Sequence, residues 1–167
     1  MKIPASVVLI GSRAFYWTPL NRLEFEENSE LRVIGSEAFA YCWNLTSIDL
    51  PNKLETIGEL AFIENSYVNV TIPASVIELG GGAFACCYNL TSVNVEAGNT
   101  VYHDIDGIVY NLANTEIHIY PAGKAGEFYE VQTTTTSLMP WSFAGSVYLK
   151  NVMLPEPLTL IAEYAFA

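Results

Sequence analysis

The sequence predicts a β-rich α/β solenoid, built from units of about 23 residues and presenting one main parallel sheet. Two observations lead there. Residues 3–15, IPASVVLIGSRAF, align without a gap on residues 72–84, IPASVIELGGGAF, at an offset of 69 residues, three times 23. Phe closes each I-G-x-x-A-F run or its degraded copy at positions 15, 39, 62, 84, 143 and 166, with gaps of 24, 23, 22, 59 and 23.

A period near 23 lies in the leucine-rich-repeat range, and a right-handed stack of such units follows. After the Phe comes a Leu-x-x-apolar-x-apolar ladder: Leu20, Leu23, Phe25; Leu45, Ile48, Leu50; Val68, Val70, Ile72; Leu90, Val93, Val95; Leu149, Val152, Leu154. Alternation with period two predicts a short strand in every unit. Pro51, Pro73 and Pro155 close strands where no further ladder bond is needed. Short strands or helical turns around I-G-x-x-A-F form the opposite side. Gly35, Gly58 and Gly80 share one place in their units, as expected at a sharp bend. One unit cannot cover its own apolar side, so stacking must bury Leu, Ile and Phe in a column. Residues 1–167 therefore form a single solenoid domain, with 97–137 as an irregular, hairpin-like insertion. Within it Asp106-Gly107 reads as a turn between two strands, and TTTT (133–136) reads as a strand with one polar face.

Lys plus Arg is 7 and Asp plus Glu is 18, a net charge of −11. That sign repels phosphate and excludes nucleic acid and anionic membrane surfaces as natural partners. No apolar run reaches the length of a membrane span. The start MKIPASVVLIG looks a little like a signal peptide, but it belongs to the first repeat.

Catalytic and metal readings find little support. Cys42 and Cys87 occupy one repeat position, which Asn65 shares, and a small, weakly polar residue facing inward is expected there. Three cysteines imply no disulfide framework. His118 alternates with Ile117 and Ile119 and is expected to point off the sheet, exposed; His103 lies in the insertion. No zinc motif occurs, and HDIDGIVY (103–110) fails the calcium-loop pattern because Tyr102 stands at its first position. No cofactor and no metal site are expected. The triplets Asn44-Leu45-Thr46, Asn69-Val70-Thr71 and Asn89-Leu90-Thr91 recur because the repeat recurs, and they read as turn chemistry.

VIGSEAFAYCWNLTSIDLP, IPASVIELGGGAFACCYNLTSVNV and LTLIAEYAFA resemble BspA-like leucine-rich repeats of bacterial surface proteins. The run with Asn99, Tyr102, Asp106-Gly107, Tyr110 and Tyr120-Pro121 resembles an insertion frequent in that family. The resemblance implies a bacterial cell-surface or secreted setting, binding to host matrix proteins or other cells, and no catalysis. Two departures stand out. Lys53 falls where the leucine-rich consensus carries the Asn or Cys of a hydrogen-bonded ladder, so no such ladder is expected. Met139-Pro140 and Ser142 replace Gly and Ala in the sixth unit, which is expected to be locally distorted. The last residue, Ala167, follows an Ala-Phe pair, so the stack is expected to continue elsewhere or to self-associate through an uncapped end.

The functional expectation is a non-catalytic interaction module that binds a protein or glycan. Its partner-binding residues are the outward set on the strands: Arg22, Glu24, Ser47, Asp49, Asn69, Thr71, Ser92, Asn94 and Asn151, with Met153 beside the last. Exposed aromatics among Tyr16, Trp17, Tyr41, Trp43 and Tyr88 could add anchors. The alternative is a spacer that holds other domains away from the cell.

Overall fold

The computed structural model describes residues 1–167. The chain is a leucine-rich-repeat solenoid. Its innermost feature is a column of aromatic rings. Phe15, Phe39, Phe62 and Phe84 stack at centroid distances of 5.0, 5.4 and 5.1 Å, tilted by 9° or less. That spacing is close to the roughly 4.8 Å between hydrogen-bonded strands, so ring stacking and backbone pairing share one period. Three of these four rings are pinned through their own amides: Phe15, Phe39 and Phe62 donate to Ala38, Ala61 and Ala83 of the next turn.

The column resumes as Tyr120, Phe143 and Phe166, at 4.8 and 5.0 Å. Tyr120 N–H donates to Ser142 as a repeat Phe would. The 59-residue gap between Phe84 and Phe143 therefore resolves into 36 and 23, and Tyr120 is the ring of a seventh turn that carries 13 extra residues.

One face of the stack carries β1 (Lys2–Ile3), β3 (Glu24–Phe25), β6 (Asn69–Ile72), β8 (Ser92–Val95), β12 (Phe128–Glu130) and β14 (Asn151–Met153). The opposite face carries β2 (Leu9–Ile10), β4 (Val33–Ile34), β5 (Thr56–Ile57), β7 (Glu78–Leu79), β11 (Glu116–Ile119), β13 (Ser137–Leu138) and β15 (Leu160–Ile161). The hairpin β9 (Tyr102–Ile105) and β10 (Ile108–Asn111) stands between β8 and β11 in the chain.

Two expectations are corrected here. The structure has no helix, so the α/β label does not hold. A left-handed residue stands two before every corner Phe and, except at Phe166, another two after it, at φ of 53–61° for Arg13, Trp17, Glu37, Tyr41, Leu60, Glu64, Cys86, Trp141 and Tyr164 and at 66° and 74° for Gly82 and Gly145, and a helical run cannot pass through them. Parallel pairing is also not confined to one sheet. β2–β4–β5–β7 is the longest unbroken parallel ladder, with Ile10, Ile34, Ile57 and Leu79 in register and buried. The first face pairs only in twos, β1–β3, β6–β8 and β12–β14.

Residues 45–50, expected as a strand, form none: Leu45 O accepts from Ser66 N–H of the next turn, and residues 46–50 pair with neither neighbour. Beyond that bond, buried Leu45 and Ile48 hold the segment by side-chain packing. TTTT is a turn: Thr134 and Thr135 donate their hydroxyls to Asn114 O, and Thr136 to Thr115 O. The sixth unit is not distorted. Trp141 takes the left-handed corner position at φ 61°, and Phe143 N–H donates to Ala165.

The glycines at the corners act through space, not through φ. A Cβ on Gly35, Gly58 or Gly80 would lie 2.2–2.6 Å from a backbone nitrogen of the preceding turn. A hydrogen-bonded ladder does exist, but at the position three residues after the Phe. Cys42 Sγ donates to Phe15 O, Asn65 Nδ2 to Phe39 O and Cys87 Sγ to Phe62 O. Thus the Cys/Asn position is a polar stitch between turns as well as a core filler. Burial of Cys87 pushes its thiol pKa up to about 12, so it stays a neutral donor.

Two outcomes follow for stability. Gly58→Ala drives a methyl into Ser36 N, 2.5 Å away, and is expected to lower the urea midpoint strongly, whereas Gly11→Ala, with nothing within 4 Å, is expected to be neutral or slightly stabilising. Asn65→Ala leaves Phe39 O unpaired and Phe62 O with only the Cys87 thiol, and is expected to cost about 1–3 kcal/mol in urea unfolding, of which Asn65→Cys recovers a part because Cys fills this position in two other turns.

Candidate interaction surface

The first face positions the outward residues, because alternation along each strand sends Val70, Ile72 and Val93 inward. Asn69 pairs in register with Ser92, and Thr71 with Asn94. Asn69 Oδ1 accepts from Ser92 Oγ at 2.7 Å and from Thr91 Oγ1 at 3.2 Å, so the Asn-x-Thr triplets serve the repeat here. Arg22 and Glu24 form an ion pair with each other on the turn below. Ser47 and Asp49 lie between these groups, both exposed.

The structure thus joins Arg22, Glu24, Ser47, Asp49, Asn69, Thr71, Ser92 and Asn94 into one strip. Asn151 stands apart from it. The β9–β10 hairpin packs on β8, with Val93 N–H donating to Gly107 O and Val95 N–H to Asp104 Oδ1. β12 then intervenes before β14, where Asn151 pairs with Phe128 and Met153 with Glu130.

The hairpin is tightly anchored. Asp106 and Gly107, at φ 52° and 73°, make the two-residue turn that opposes Ile105 to Ile108. Buried Asn99 donates to Pro73 O and Val76 O and accepts from the amides of Val101 and Tyr102. Tyr102 Oη accepts from Leu79 N–H, which satisfies the open edge of β7. Lys124 Nζ holds Asp106 through both its carbonyl and its carboxylate.

His118 is not exposed as expected. Its ring lies edge-on to Tyr102 at 5.0 Å, its Nε2 is 3.1 Å from Glu116 Oε2, and its side chain is 12% exposed. Tyr102 of the hairpin, a neighbour invisible to a period-two count, lies against it. Neither histidine is hydrogen-bonded to a cysteine, and Cys42 and Cys87 spend their thiols on the stitch. His103 Nε2 meets Asn114 Oδ1 at 2.7 Å.

The charge pattern is the electrostatic signature of this surface. All seven Lys and Arg residues are paired: Lys2 with Glu26, Arg13 with Glu37, Arg22 with Glu24, Arg32 with Glu55, Lys53 with Glu30, Lys124 with Asp106 and Lys150 with Glu127. Of eighteen acids, seven are used in this way and eleven are left without a Lys or Arg partner. Uncompensated Lys, Arg, Asp and Glu charge on this molecule is therefore entirely negative.

An aromatic patch occupies a corner of the first two turns. Trp17 meets Trp43 edge-on at 4.6 Å, and Tyr16 and Tyr41 close the group at 5.4 Å. Trp17 remains 57% exposed. The rings pack against one another in T-shapes and form no flat platform.

A BspA-type leucine-rich repeat region matches in six copies over residues 1–105 and 125–167. The chain belongs to the BspA-type leucine-rich repeat family. Among solved structures, a leucine-rich repeat protein of Eubacterium ventriosum superposes with a TM-score of 0.89 at 24% identity, over 98% of this chain and 44% of that one. The pneumococcal vaccine antigen PcpA gives 0.77 at 28% identity, over 95% and 46%. A leucine-rich cell surface protein of Faecalibacterium prausnitzii gives 0.66 at 22% identity, over 99% and 57%. This repeat array spans about half the length of each. No curated protein matches the chain.

Burial lowers the pKa of His118 from its ordinary 6.5 more strongly than Glu116 raises it. The folded state thus resists a proton that the unfolded chain accepts. Stability is full above pH 6.5 and falls as the pH drops from there through the depressed native value. In His118→Leu this component is expected to vanish, so the difference in melting temperature between variant and parent narrows with acidification in the variant's favour.

Proposed function

We propose that this chain is a non-catalytic interaction module of a larger bacterial cell-surface or secreted protein, and that it adheres to a host or cell-surface protein or glycan through the polar strip. The carrying observation is the strip itself: eight outward side chains from four consecutive turns, from Arg22 to Asn94, on one face of a rigid stack. Solenoids present extended surfaces of this kind to partners. Family membership supports the reading, as does the cell-surface description of the Faecalibacterium prausnitzii relative. We read residues 1–167 as one solenoid with 97–137 inserted, and no helix is long and apolar enough to cross a membrane.

The spacer reading draws on a different feature. Five ion pairs link residues 23 or 24 apart and so tie one turn to the next, Lys2–Glu26, Arg13–Glu37, Arg32–Glu55, Lys53–Glu30 and Lys150–Glu127, which stiffens a rod. Ile161 and Phe166 are also about half exposed, an apolar surface suited to self-association.

Solid-phase binding to a panel of extracellular-matrix proteins and glycans tests the adhesive reading. The chain is expected to bind at least one of them, and Asp49→Lys with Asn94→Lys is expected to weaken that binding by about tenfold or more while leaving the melting curve in place. Unchanged binding by the folded double variant would remove the strip from consideration.

A further inference from the structure

The first face has an opening that the opposite face lacks. Between β3 and β6 the segment Thr46–Leu50 makes no ladder. None of its five N–H groups donates to, and none of its five carbonyls accepts from, another group of the protein. The edges of β3 and β6 that face this segment are unpaired as well. Such groups are a template for an extended chain, because main-chain hydrogen bonds supply affinity that needs no particular side chain.

Three clefts adjoin the same segment. One, of about 320 Å³, lies between Asn21–Glu24 and Ser47–Asp49. A second, of about 400 Å³, lies between Ser47–Leu50 and Asn69, Thr71 and Glu96. The third, of about 310 Å³, reaches from Asp49 past Glu24 and Glu27 to Lys2. Asp49 lines all three.

Charge selects the occupant. Asp49 and Glu27 have no ionic partner, Glu96 is held only by the amide of Ala74, and the cations nearby are committed to Glu24 and Glu26. An anionic segment would meet net repulsion here, since the two cations that line the clefts, Lys2 and Arg22, are already paired with acids. Apolar side chains would find little cover, since the lining is mostly polar.

The geometry points to a docking groove for an extended, Lys- or Arg-bearing polypeptide segment, centred on Asp49. This deepens the adhesive reading above, on which it rests, by naming the class of partner. The segment's backbone meets the unpaired groups of Thr46–Leu50, and its cations enter the clefts toward Asp49, Glu27 and Glu96. Recognition is through backbone and charge, so it is salt-sensitive and tolerant of sequence.

The test is fluorescence anisotropy with a short labelled peptide alternating Lys and Thr, a Glu–Thr counterpart, and the Lys–Thr peptide N-methylated at alternate amides. The Lys–Thr peptide is expected to bind and to weaken with salt, and the other two are expected to bind at least about tenfold less tightly. Asp49→Asn and Glu156→Gln each raise the net charge by one, but exposed Glu156 lies outside the strip and lines none of the clefts. Asp49→Asn is therefore expected to lose about tenfold and Glu156→Gln about twofold or less. Equal losses in the two variants, or equal binding of the N-methylated peptide, overturn the groove. So does a failure of the Lys–Thr peptide to bind, and a matrix protein still captured in the panel assay would then leave the adhesive reading standing. Peptide binding without any panel partner upholds the groove and counts against matrix adhesion alone.

Discussion

The fold depends on one coincidence of lengths: flat aromatic rings stack at nearly the spacing of hydrogen-bonded strands. Phe39 lies between Phe15 and Phe62 at 5.0 and 5.4 Å, while its amide pairs with the next turn. Every other feature of the repeat accommodates this column. Ala38, Ala61 and Ala83 keep the corner narrow, and all three are buried. Left-handed residues flanking the Phe positions turn the chain around them, and the ladder bonds most of them make with the next turn offset a conformational cost of about 1–2 kcal/mol apiece. Gly35, Gly58 and Gly80 allow consecutive corners to touch.

The stitch of Cys42, Asn65 and Cys87 shows why chemically different residues share one position. Each offers a donor to the Phe carbonyl of the turn before, and each is small enough to lie inside. The same economy governs the charges. Because Lys and Arg are used up in pairs, mostly between turns, the outer surface carries only unbalanced acids. Stiffness of the rod and selectivity of its surface are thus two consequences of one charge arrangement.

The insertion changes the surface more than the core. Tyr120 continues the ring column beneath it, and Asn99 and Tyr102 satisfy the groups left open by β7 and its approach. Outside, the hairpin sits against β8 and divides the polar face. The strip from Arg22 to Asn94 remains continuous, and Asn151 falls on the other side with β12 and β14.

The repeat, its strands and its outward residues were legible in the sequence because each depends on local spacing. Phe at intervals of 22 to 24 sets the period, and alternation separates inward from outward side chains. Asp106-Gly107 announced its turn, since Asp and Gly tolerate positive φ. Tyr120 was also within reach, 23 residues before Phe143, but its Tyr-Pro setting hid the Ala-Phe signature. Other features depend on what lies in the next turn. Whether residues 45–50 pair, whether His118 is covered, and which carbonyl Asn65 meets are contacts between segments more than twenty residues apart or across an insertion. Local pattern carries no record of them. Only the stacked structure decided where the first face closes into ladder and where it stays open.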